Sequence, residues 1–323
     1  MIPRPWLILI AWLFAALSVM AADGIYLAVG YGGRRMTSRD GQTWENVQQW
    51  ADEGKDDANN LMSATFYKGK FVVVGGGGFS KESQAGHILV STNGRDWQEV
   101  GKYPFRVNPV VTDGQRLVAG GPARQLLWSD DAGQWHEGEK VNLPPEIPGW
   151  AFWFRGGAAR PGHYVFYGNA AQDHKTWWCV TSRDGQKIES FTATLPEVRG
   201  VAAGADKFVL ASADALFSSP DGQKWERITG APADQFRNLI WNGTAFIVAG
   251  KQGMYASTDG VTWKPAGRTP PGNLVWGDAH GFIATSWPGK MSFSSDGQNW
   301  KSTGQPTPGL GVNHIVFGVP LAK

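Results

Sequence analysis

Ser257-Thr258-Asp259-Gly260-Val261-Thr262-Trp263 is one of seven near copies of a single phrase. The others begin at Ser38, Ser91, Ser129, Ser182, Ser219 and Ser294. Each keeps the serine and places an Asp or Asn two residues on. Six of the seven end on Trp; the fourth ends on Ile188. The last positions fall at 44, 97, 135, 188, 225, 263 and 300, in steps of 53, 38, 53, 37, 38 and 37. A period near 37 with two insertions of about fifteen residues is the spacing of four-stranded propeller blades.

The phrase has a mechanical logic. A Ser and an Asp ahead of Gly hydrogen-bond nearby backbone N–H groups while Gly takes positive φ, and together they close a hairpin. The aromatic that follows, at one place per repeat, wedges neighbouring sheets together and has an indole N–H to offer a carbonyl. One carboxylate per turn is too few oxygens for a calcium cage, so these residues read as structural.

Working outward from the sixth copy gives four strands: Arg237 to Trp241, Ala245 to Ala249, Met254 to Ser257 and Thr262 to Lys264. The other units follow. Their innermost strands are expected at Leu61 to Phe66, Asn108 to Thr112, Trp150 to Phe154, Arg199 to Ala203 and Asn273 to Trp276. The first unit has no such strand before Ile25, whereas Asn313 to Phe317 is left over at the C-terminus. The expectation is an all-β, seven-bladed propeller of four-stranded blades, closed when the C-terminal strand joins the N-terminal blade. Closure protects the sheet edges and uses residues 23–323 as one domain.

Composition agrees. The 323 residues include Gly 43, Pro 19 and Trp 17, a mixture suited to short strands and tight turns. The start of the chain, with Arg4, an apolar run from Trp6 to Leu17 and small residues at 21 and 22, reads as a signal peptide over 1–22. About twelve apolar residues are too few to span roughly 30 Å of hydrocarbon. The mature protein is therefore expected to be secreted or periplasmic, with no transmembrane segment after cleavage. The lone Cys179, in a β-rich run, is expected to be a buried, inert thiol. A net charge of +2 does not favour nucleic acid as a partner.

The Ser-x-Asp-Gly-x-x-Trp turns resemble the Asp-box, or BNR, repeats of sialidase-like and related β-propellers. The resemblance covers nearly all of the mature chain, but the Asp-box places a further residue between Asp and Gly, as only Asp131-Ala132-Gly133 does here. It implies the propeller and leaves the chemistry open, since such propellers include glycosidases, sorting receptors and photosystem assembly factors. Sialidases have six blades and an early Arg-Ile-Pro motif. Phe105-Arg106-Val107-Asn108-Pro109 departs from that motif. The seven-blade count and the lack of an evident catalytic set are more similar to the non-enzymatic assembly propellers.

A site is expected on the face opposite the turns. The insertions at Val47 to Asn60, Gly75 to Gly86, Glu137 to Gly149 and Gly168 to Lys175 all open there. So do the entries to the inner strands, which carry Arg106, Asn108, Arg199, Arg237, Asn238, Asn273, Asn313 and His314. Guanidiniums converging on one mouth bind carboxylate, sulfate or phosphate through paired N–H donors. The bland alternative has these groups capping strand carbonyls or pairing with Glu197 and Asp234. Trp50, Phe79, Trp150, Trp177 and Trp287 lie in or beside the same connections, where flat rings stack on sugars or peptides or else fill the core.

Two functional classes follow. One is a binding or assembly module that receives an anionic glycan or an acidic protein segment at the mouth. The other is a carbohydrate-active enzyme, a glycoside hydrolase or polysaccharide lyase. Hydrolysis needs two carboxylates roughly 5 to 9.5 Å apart, and Asp52, Glu82, Glu146 and Asp173, with His174 as a candidate base, sit on the insertions. No zinc-ligand spacing, phosphate loop or nucleophile elbow is present, and neither metal nor cofactor is expected. The expected ligand-binding set is Arg106, Asn108, Arg199, Arg237, Asn238, Asn273, His314, Trp50 and Trp150.

Overall fold

The computed structural model describes residues 24–50, 57–77, 85–121, 125–140, 152–170, 175–303 and 311–320. These residues form seven four-stranded antiparallel sheets. In six of them the strands are consecutive in the chain. The seventh is ordered Val312–Gly318, Ile25–Gly30, Arg34–Ser38, Glu45–Gln48, so the last strand completes the first blade. Its register runs from Ile25 opposite Gly318 to Val29 opposite His314. Blades are numbered 1 to 7 from this closing blade along the chain.

The inner strands of blades 2 to 7 are Leu61–Tyr67, Val110–Thr112, Phe152–Arg160, Val198–Ala203, Phe236–Trp241 and Asn273–Asp278. Blade 4 is the departure from expectation. Its inner strand, Phe152–Arg160, continues past the expected end at Phe154 through Gly156-Gly157-Ala158-Ala159, a stretch without the β-branched or aromatic residues that mark a strand in sequence.

The seven turns share one geometry. In blade 1, Ser38 Oγ accepts the Gly41 N–H at 2.9 Å, and Asp40 Oδ1 accepts the N–H groups of Gln42 and Thr43 at 2.8 and 2.7 Å. Gly41, Gly94, Gly185, Gly222, Gly260 and Gly297 all take φ between 70° and 81°. In blade 3 the residue in that slot is Ala132, at φ 66°, and Gly133 lies outside it.

Apolar residues gather between blades, one cluster per junction. Tyr26, Ala28, Met36 and Trp44 of blade 1 pack with Ile283, Met291 and Phe293 of blade 7. Blade 2 meets blade 3, and blade 5 meets blade 6, in the same way. The turn tryptophans wedge into these junctions as expected. Their N–H groups differ: Trp135 donates to the Ala132 carbonyl at 3.2 Å, whereas those of Trp44, Trp97, Trp225, Trp263 and Trp300 are buried with no partner among the described residues. Their contribution is buried area, not a hydrogen bond. Cys179 is buried in the junction of blades 4 and 5, and burial pushes its thiol well above the ordinary range, which leaves no thiolate to react.

Candidate functional site

The turns between second and third strands lie beside the entries to the inner strands, on the face opposite the serine turns. Hydrogen bonds tie them together: Gly76 N to Asn60 O at 2.8 Å, Phe236 N to Ala213 O at 2.8 Å and Lys251 N to Gln235 O at 3.0 Å. Near this face the ladder between first and second strands slips by one residue in six blades. A slipped residue makes no ladder pair, and its side chain is re-aimed out of the sheet.

In blades 4, 5 and 6 that residue is an arginine: Arg155, Arg199 and Arg237. In blade 1 it is Asn313, in blade 2 Met62 and in blade 7 Val275. A common offset locates the position. Arg155, Arg199 and Arg237 each stand nine residues before the one paired with the turn serine, namely Tyr164, Phe208 and Phe246. Asn108 and Asn273 stand nine before Leu117 and Phe282, but in blade 7 the offset falls two residues before the slipped Val275, and Asn273 itself pairs with Thr285. The mouth is thus ringed by Asn, Met, Asn, three arginines and Asn.

The asparagines are structural links. Asn108 Nδ2 donates to the Phe154 carbonyl of blade 4 at 3.2 Å, and Asn313 Nδ2 to the Leu61 carbonyl of blade 2 at 2.8 Å. Asn238, one residue past the slip, donates to the Leu274 carbonyl of blade 7 and accepts the Leu274 N–H. Ser63 of blade 2 makes the same double contact with Val110 of blade 3. For Asn108 and Asn238 the amide groups expected at a ligand hold the ring together instead. Of the asparagines in the expected set, Asn273 is exposed.

The arginines form an arc from blade 3 to blade 6. Arg106 donates through Nε to the Gly76 carbonyl at 2.7 Å. Arg155 donates to Asn169 Oδ1 at 2.7 Å; burial first, and then the like charge of Arg106, hold it below its ordinary value, yet it stays a cation at neutral pH. Arg199 pairs with Glu197 at 3.0 Å, both ends partly open to solvent. Arg237 has no carboxylate partner among the described residues. The nearby Asp234 accepts the backbone N–H groups of Gln235, Lys251 and Gln252 instead. Only a glycine at 250 permits this, since a Cβ there would lie 2.2 Å from an Asp234 oxygen.

Arg199 and Arg237 line one cleft of about 660 Å³ with Lys251, Gln235, Asn273, Phe236, Ala213 and Asp214. Three cations line it with one carboxylate, Asp214, while Glu197 holds Arg199. Guanidiniums and an ammonium around one cleft supply the N–H donors that an oxyanion accepts from.

Two other expected residues have different surroundings. Trp50 is 42 % exposed, but the Arg35 guanidinium lies 4.7 Å from its ring centre and His87 packs at 5.0 Å. His314 is partly buried, with Nδ1 lacking a partner among the described residues. Burial lowers its pKa to about 4, so it brings no positive charge to the mouth at neutral pH. Trp177 is half-buried in the junction of blades 4 and 5. Trp150 and Phe79, and the insertion residues Asp52, Glu82, Glu146, Asp173 and His174, lie outside the described residues. Arg155 was missed because the blade 4 strand was expected to end at Phe154; the nine-residue offset is the signal that finds it.

The fold defines the class: a seven-bladed β-propeller with a cationic cleft at one face. No protein-family model matches the chain, and no curated protein does. Among solved structures it is similar to apo AztD from Citrobacter koseri, at TM-score 0.56 and 10 % identity over 91 % of this chain and 98 % of that one. It is also similar to a chain of a nidogen/laminin complex, at TM-score 0.50, 10 % identity and the same coverages. At such identities the likeness is one of fold.

Proposed function

We propose that this chain is an exported binding module that takes an anionic ligand, an acidic glycan or an acidic segment of another protein, in the arginine cleft. The observation that carries the reading is the placing of arginines at the slipped position of three successive blades, two of them in one cleft that Lys251 and Asp214 also line. A ring fixed by inter-blade hydrogen bonds holds these cations before any ligand arrives, which reduces the cost of ordering them. The nidogen/laminin structure, of like fold, is by its name a complex between proteins.

The test is the thermal midpoint of the protein with uronic-acid, sulfated and neutral oligosaccharides and with acidic peptides, repeated with Arg199→Ala/Arg237→Ala. Ligand at 100 times its Kd adds about 2.7 kcal/mol of stability. A rise confined to anions and lost in the double variant is the expected result. No rise with any anion would remove the proposal.

A further inference from the structure

Resting on that reading, we infer that the ligand is a glycan, one sugar ring stacking on Trp287 while its acidic substituents meet Arg237 and Arg199. Trp287 is 64 % exposed, the most open of the large hydrophobic residues described. It joins the second and third strands of blade 7, on the face that carries the cleft.

The ring is held. Tyr31 of blade 1 packs edge-on against it at 5.2 Å and 71°. The Gly311 backbone lies so close that a Cβ there would come within 2.7 Å of the indole. A flat aromatic fixed in place and left open to water is a stacking surface that loses little freedom when used.

Its place in the fold joins it to the cleft. Asn273, a cleft wall, pairs in register with Thr285, two residues before Trp287. Paired strand positions are about 5 Å apart and two residues reach at most about 7 Å, so the Trp287 backbone stands within roughly 12 Å of that wall. A short oligosaccharide spans both. The cleft wall also carries the Gln235 and Asn273 side-chain amides, which have no hydrogen-bond partner among the described residues and both donate and accept, as hydroxyl groups require. An acidic peptide would satisfy the cations with its carboxylates, but would need a separate apolar side chain for the indole and free backbone for the amides. A pyranose uses all three, presenting apolar C–H groups from its face, hydroxyls from its rim and a carboxylate or sulfate from a substituent.

The experiment is calorimetric titration of the protein with a hexameric oligogalacturonate, a sulfated oligosaccharide of similar length, a neutral hexasaccharide, hexaglutamate and inorganic sulfate. It is run on wild type, Trp287→Ala, Trp287→Phe and Arg237→Ala. We expect at least one acidic oligosaccharide to bind. Trp287→Ala should weaken it tenfold or more and Trp287→Phe by only a few-fold, with the thermal midpoint and the weak affinity for inorganic sulfate unchanged. Unchanged glycan affinity in Trp287→Ala, or binding of hexaglutamate without any acidic glycan, would overturn the inference and leave the anion cleft standing. Failure of every anion, sulfate included, with Arg237→Ala indistinguishable from wild type, would overturn the cleft as well.

Discussion

Asn313 donates its side-chain amide to the Leu61 carbonyl at 2.8 Å across 252 residues of chain, and the same amide meets Asn60 Oδ1 at 2.6 Å. The strand that closes the ring is thereby fastened to blade 2 as well as to its own blade. Asn313→Ala removes the donor and leaves a partly buried carbonyl without it, a loss of about 1–3 kcal/mol. Urea unfolding should report it, and Asn238→Ala, which breaks the equivalent link between blades 6 and 7, should cost a similar amount. A wild-type midpoint in both variants would show that these contacts do not hold the ring.

The glycine of the serine turn is required for two reasons. At Gly185 and Gly222 φ is 70° and 81°, and a Cβ would meet Val118 and Val165 of the preceding blade at 2.3 Å. Gly185→Ala and Gly222→Ala should each destabilise by about 2–4 kcal/mol, from left-handed strain and overpacking together. Ala132→Gly should stay within about 1 kcal/mol of wild type, because relief of strain at φ 66° is offset by a lost buried methyl and a more flexible unfolded chain. Equal effects at all three sites would mean that the turns are not equivalent in their packing.

Acid should weaken the fold in two stages. Burial lowers the His314 pKa to about 4, against an unfolded value near 6.5. Between those limits the unfolded chain takes a proton that the folded chain refuses, so stability falls as pH drops from 6.5 to 4. Below that, Asp131, Asp259 and Asp296, held well under the ordinary range by backbone N–H groups, stay ionised in the fold while their unfolded forms protonate, and stability falls again. Thermal midpoints across pH 3 to 7 should show both slopes. His314→Asn, the residue found at the matching ladder position in blade 6, should flatten the upper one.

The repeats made the blade count and the closing strand readable because a turn needs particular residues at fixed offsets: Ser, Asp, Gly and Trp have no substitutes that serve as well. That the inner-strand entries and the second-to-third turns open on the face opposite the serine turns was readable for the same reason. Side-chain partners were readable only as an alternative, capping of strand carbonyls or pairing with Glu197 and Asp234, of which the Arg199–Glu197 pair forms. Nothing in Asn108 or Asn238 announces a carbonyl in the next blade, and nothing near Arg237 shows that Asp234 will turn to backbone amides. Such contacts depend on how neighbouring blades approach, which no local pattern encodes. The blade 4 strand was obscured because Gly156 to Ala159 has no side chains to pattern, and Arg155 went with it.

Arg199 and Arg237 hold matching positions in successive blades but differ in freedom, since Glu197 sits 3.0 Å from Arg199 and no carboxylate of the described residues pairs with Arg237. An incoming anion must compete with Glu197 for one arginine and not for the other. Glu197→Gln removes the competitor while keeping shape and hydrogen-bonding capacity, and should tighten binding of an acidic ligand. An exposed pair contributes at most about 1 kcal/mol, which sets the gain at roughly fivefold or less. The gain should shrink as salt rises toward 1 M, where screening falls to about 3 Å. Arg237→Ala should cost more affinity than Arg199→Ala, because only the former deletes a cation that has no internal partner. Titration of the three variants at low and high salt checks the order, and a Glu197→Gln variant that binds more weakly than wild type would mean that the carboxylate positions Arg199 for the ligand and does not mask it.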